Sequence, residues 1–126
     1  MKRVVIESPL SGNFSRNVRY ARLCLIDCLR RGEAGYASHL IYTQILDDAR
    51  PEDRALGMAA GFAWNEAAEL AAVYLDLGPP SRGMLAGIET HRARGTPIEE
   101  RKLPADLMAE LDAVGANVRP TEGIGA

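Results

Sequence analysis

The chain of 126 residues has the length of one domain, enough to bury a single core and too short for two. Hydrophobic residues at 47% and charged residues at 25% exclude a disordered or fibrous chain, and a formal net charge of -2 gives no global preference for nucleic acid or an anionic membrane. No apolar run approaches the ~18 residues of a membrane span, and Val4, Val5 and Ile6 are too few for a signal-peptide core, so a cytoplasmic protein is expected, with neither nucleic acid nor membrane as partner.

Arg3 to Glu7 is short, β-branched and apolar, the pattern of a strand buried on both faces of a parallel sheet. After "SPLSGN" the period becomes helical: Phe14, Val18, Ala21, Leu25 and Cys28 recur at helical spacing. Asn13 or Ser11 can cap this helix, and Gly32 supplies a left-handed ending. Cys24 and Cys28 lie one turn apart on it, a poor geometry for a disulfide, and read as small core residues rather than half a metal site. His39 and His91 show no zinc-like spacing, so neither a metal nor a cofactor is expected. Arg16, Arg19, Arg22, Arg30 and Arg31 make a basic run that reads as a solvated helix face before a phosphate-binding one.

A short apolar segment follows, "AGYASHL", and then a polar, partly aromatic loop. Pro51 with Glu52 and Asp53 marks a helix start that should run to about Glu66. Its Gly57, Ala60, Gly61 and Trp64 suggest a face where another backbone comes close, and with it a homo-oligomer. "ELAAVYLDLG" is a second clear strand, Ser81 to Arg94 a helix closed by Gly95, "TPIEERKL" a further strand, and Pro104 to Asp112 a short helix. Residues 1–114 are thus read as one domain and 115–126 as a fraying tail. Strands alternating with helices imply an α/β fold: a three-layer Rossmann-like sandwich in flavodoxin-like order, its sheet of four or five mainly parallel strands, with Val4 and Val73 on central ones.

In such sheets ligands collect beyond the carboxyl ends of the strands. That rim gathers Ser8, Ser11, Gly12 and Asn13 at one helix start, and Ser81, Arg82, Gly83 and Met84 at another. Both can offer backbone amides to an anion, although turns of this kind also simply cap helices. Arg82 adds a cation suited to phosphate. Asp76 ends a buried strand, where a carboxylate is costly unless hydrogen-bonded or functional. Glu7 ends the other, in a setting that would raise its pKa unless backbone amides satisfy it. His39, from the loop after the second strand, reads either as a packed ring or as a ligand-facing donor.

The stretches "VVIESPLSG" and "VYLDLGPPSRGMLAGIETHRARGTPIE" together resemble the nucleoside 2-deoxyribosyltransferase-like family, in particular its small phage and prophage relatives. The likeness covers most of residues 3–103 and rests on the order and spacing of several short motifs. It implies a Rossmann-like domain that binds a nucleoside or nucleotide, with a glutamate attacking the anomeric carbon while aspartates assist. Asp76 matches the first aspartate of that pattern, Gly83 the glycine of the turn, and Gly95 and Pro97 the closing pair. Ser81 stands at the second aspartate, Met84 at the threonine, and Gly87 at the nucleophile. Glu89 does not replace it, since two residues along a helix rotate a side chain by about 200°. The expectation is therefore a protein that binds a nucleoside or nucleotide-like ligand through Ser8, Ser11, Gly12, Asn13, His39, Asp76, Ser81, Arg82, Gly83 and Met84 without efficient turnover. The alternatives are an N-glycoside hydrolase or deoxyribosyltransferase using Asp76 or Glu7, and a structural or partner-binding protein.

Overall fold

The computed structural model describes residues 1–113; the expected tail at 115–126 lies outside them. The chain is an α/β protein that alternates β1 (Lys2–Glu7), α1 (Phe14–Arg30), β2 (Glu33–Tyr36), two 3-10 turns at Ser38–Leu40 and Tyr42–Gln44, α2 (Pro51–Asn65), β3 (Leu70–Tyr74), α3 (Arg82–Arg94), β4 (Ile98–Arg101) and α4 (Ala105–Ala113). The sheet is parallel throughout, in the order β2-β1-β3-β4. β1 and β3 are central, as the unbroken apolar run of β3 requires: all five of its residues are buried.

Side chains alternate across the sheet. Val4, Ile6, Ala72 and Tyr74 face α1 and α4 in the main core, while Val73 meets Met84 and Ile88 of α3 on the opposite face. α2 accompanies α3 on that second face and leans on the 3-10 turn at Ser38–Leu40. Helices leave the adjacent ends of β1 and β3 toward opposite faces, which is the topological switch point where a crevice opens in this strand order.

The expected caps form. Asn13 accepts from the Arg16 amide at 3.2 Å, Ser81 from the Met84 amide at 3.3 Å, and Gly95 closes α3 in the left-handed region. One expectation needs correction. Phe14 is exposed, whereas Ala21 and Cys28 of the expected stripe are buried and Leu25 packs on the core; Asn17, Tyr20, Leu23, Cys24 and Asp27 complete the buried face of α1. Polar Asn17 and Asp27 enter that face because each has a partner: Asn17 donates to the Leu10 and Ser11 carbonyls, and Asp27 accepts from the Tyr74 hydroxyl at 2.7 Å. The glycine face of α2 does receive a close neighbour, but from its own chain. A Cβ at Gly61 would stand 3.0 Å from Ser38 Oγ, and one at Gly57 would stand 3.4 Å from Leu46. Trp64 donates to the Tyr42 hydroxyl at 2.7 Å and packs beside Tyr36, and its ring remains half exposed.

Part of the basic run along and just past α1 is ion-paired. Arg16 and Arg30 reach Asp112 and Asp106 of α4, and Arg31 reaches Asp27. Both cysteines are buried in the core. No helix among the described residues is long and apolar enough to cross a membrane.

Candidate functional site

The carboxyl end of β1 opens into a crevice of about 580 Å³ on the α2/α3 face of the sheet. Its floor is Glu7 and Ser8, its far wall is the start of α3, and its near wall is α2 with the turn carrying His39. α2 contributes an apolar side, Met58 and Phe62, together with Arg54 and Asn65. The opposing α3 start contributes Ser81, Arg82, Gly83 and Met84. Ser81 occupies the Met84 amide, which leaves Arg82 and Gly83 as the first-turn donors without intrahelical acceptors.

The floor is held by two histidine bonds. Ser8 Oγ and His39 Nε2 are 2.8 Å apart, and burial lowers the His39 pKa to about 4, so this imidazole is neutral at physiological pH. Glu7 Oε2 lies 2.9 Å from Nε2 of His91 on α3. Burial pushes the Glu7 carboxyl above its ordinary range, partly offset by the hydrogen bond and charge of His91. Asn65 is fixed in turn, its amide donating to Thr90 Oγ1 at 2.9 Å.

Of the residues singled out from sequence, Glu7, Ser8, Ser11, His39, Ser81, Arg82, Gly83 and Met84 come together around this crevice. Gly12, Asn13 and Asp76 do not line it. Gly12 takes a left-handed φ of 95° to turn the chain into α1, and Asn13 is spent on the cap. Asp76 turns to the other face, where it accepts from the Tyr20 hydroxyl at 2.6 Å and from the Leu103 amide at 3.0 Å. Its alternative of a satisfied strand-end carboxylate is the one realised.

Sequence reading passed over His91 and the α2 wall. His91 carried a signal: with Met84, Gly87 and Ile88 it completes the buried stripe of α3, so a histidine there had to meet a polar partner on the sheet. Arg54, Met58 and Phe62 carried none, because their role depends on how far α2 stands from β1.

The family described as Domain of unknown function (DUF7768) matches residues 2–101, and the chain belongs to that family. No curated protein matches it. The match takes in all four strands and every residue that lines the crevice, and it ends before α4.

Proposed function

We propose that this family member binds a nucleoside or nucleotide-like small molecule in the crevice between α2 and α3. The observation that carries this reading is the division of one cavity of about 580 Å³ into chemically distinct walls, a size ordinary for small-molecule sites. Phe62 and Met58 offer a flat apolar surface to a base. The first-turn amides of α3 and the Arg82 guanidinium suit a phosphate. Glu7 and Ser8 on the floor can hydrogen-bond sugar hydroxyls. The resemblance to nucleoside 2-deoxyribosyltransferases, carried here by the order and spacing of Gly83, Gly95 and Pro97, supports the same ligand class. Calorimetry against nucleosides and their 5′-monophosphates tests it: saturable binding is expected, weakened by Arg82→Ala and Ser8→Ala. Binding indifferent to both substitutions would remove the crevice as the site.

A second reading, hydrolysis of the N-glycosidic bond, is favoured by the presence of an acidic side chain on the crevice floor although position 87 has none. It predicts release of the base.

Self-association is also proposed, with a second copy of the chain covering Ile45 and Leu56, which are 76% and 61% exposed. The helix that bears Leu56 carries both signs of charge in its first turns, Arg54 beside Glu52 and Asp53, so it can complement itself about a two-fold axis. Light scattering at tens of micromolar should give more than a monomer mass, and Leu56→Glu should return it to one. A wild-type monomer removes the claim.

A further inference from the structure

Glu7 points from the end of β1 toward α3, and what it meets there is the backbone of Gly87. A Cβ built on Gly87 would stand 2.5 Å from Glu7 Oε1 and 2.6 Å from Oε2, so any side chain there would displace the carboxylate from its bond to His91. The carboxylate therefore fills the space that a side chain at position 87 would occupy on the crevice wall. One turn along α3, His91 is fully buried and has Glu7 as its hydrogen-bond partner. The other ring nitrogen, Nδ1, is buried with no partner among the described residues. Nε2 is thus the ring atom that bonds the carboxylate, at 2.9 Å from Oε2. That bond holds Oε2, and Oε1 has no hydrogen-bond partner among the described residues on a side chain that lines the crevice. The other carboxylate lining the cavity, Asp48, sits on an exposed loop.

We infer that Glu7 is the proton acceptor that activates water in this crevice, with His91 as its positioning residue and Gly87 as the clearance it needs. The inference rests on the nucleoside reading above. In the step, the water oxygen bonds to the anomeric carbon while its proton passes to Glu7. The carbon–nitrogen bond breaks with its electron pair going to the base nitrogen, and the proton held by Glu7 then completes the free base. Only water is consumed, and no oxidant or reductant is required. Burial raises the carboxyl above its usual range, which makes it a stronger proton acceptor than an exposed glutamate. The charged and titratable groups lining the crevice with Glu7 are His39, Asp48, Arg54 and Arg82. His91 lies behind it.

The test uses the full chain with a panel of deoxynucleosides, ribonucleosides and their 5′-monophosphates, following binding by calorimetry and base release by chromatography. The wild type should release base over many turnovers. Glu7→Gln should bind within a few-fold of wild type while release falls by about 100-fold or more. His91→Leu removes the N–H that stabilises the ionised carboxylate, so the acid limb of the kcat/KM profile should move to higher pH; His91→Gln, which keeps a donor, should hold it near its wild-type position. Gly87→Ala should lower Tm in the wild-type background and be tolerated once Glu7→Gly has emptied the shared space. Wild-type binding without base release, or release that survives Glu7→Gln, overturns the inference and leaves the binding reading standing. Absence of binding by the wild type overturns both, and additive effects of Gly87→Ala and Glu7→Gly on Tm overturn the shared volume.

Discussion

Tyr20 and Asp76 exchange two hydrogen bonds: the Tyr20 hydroxyl donates to Asp76 Oδ2 at 2.6 Å and accepts from the Asp76 amide at 2.9 Å. The same carboxylate receives the Leu103 amide, so one side chain ties α1, the end of β3 and the segment entering α4. Asp76→Ala leaves a buried phenol and a backbone amide without their acceptor. The expected cost is about 2–4 kcal/mol in urea unfolding, with nucleoside binding by the folded fraction unchanged. Loss of binding with intact stability would return Asp76 to the site.

Glu7 and Asp76 look alike in sequence, each the acid after a buried apolar run, and what separates them is parity along the strand. Val5 and Glu7 share the face toward α3, while Tyr74 and Asp76 share the face toward α1. The alternation was legible; which face would carry the crevice was not, because that depends on α2 standing away from β1. α3 was legible from end to end, since Ser81 and Gly95 mark its limits by local chemistry alone. β2 was weaker, four partly buried residues whose pairing with β1 supplies what the sequence pattern lacks. Arg101 shows the limit of hydropathy: it is buried at 5% exposure because Glu33, far away in sequence, comes to meet it.

That meeting predicts an asymmetric response. Nη1 and Nη2 of Arg101 each lie 2.8 Å from a Glu33 oxygen, with Nη1 3.3 Å from the Tyr74 hydroxyl. Arg101 holds the Glu33 carboxyl below its ordinary range. Glu33→Ala removes the bidentate partner of a buried guanidinium, which keeps only Glu99 on Nε at 2.8 Å and the Tyr74 hydroxyl, and should cost about 3 kcal/mol, whereas Glu33→Leu with Arg101→Met should lose far less or gain stability. A double variant as unstable as Glu33→Ala alone would show that the pair cannot be replaced by apolar packing.

The neutral His39 should make the fold acid-sensitive. Burial lowers its pKa from 6.5 to about 4, so as pH falls below about 6.5 the unfolded chain takes up the proton first. The stability contributed by the neutral ring is lost between there and about pH 4, and nothing further is lost from this group below it. The shift corresponds to at most about 3 kcal/mol. Chemical denaturation of wild type and His39→Gln across this window should show the difference shrinking as pH falls. A constant difference would mean that the ring is solvated.

Glu7 should behave in the opposite sense and expose a conflict between stability and function. Its folded pKa is raised above 4.5, chiefly by burial and in spite of the His91 bond. As pH rises past 4.5 the unfolded chain therefore gives up the proton first, and stability declines until the folded pKa is passed. Glu7→Gln cannot ionise, yet it keeps an oxygen to accept from His91 Nε2, so the variant escapes that decline. At pH 7 it should be more stable than wild type, read as a higher Tm; near pH 4, where the wild-type carboxyl is also protonated, the two should converge. A carboxylate kept buried at a net cost is what a reacting group requires and what a purely structural one does not. Should Glu7→Gln prove less stable than wild type at pH 7, the bond to His91 outweighs the burial of the charge, and the pair belongs to the architecture of the fold rather than to its chemistry.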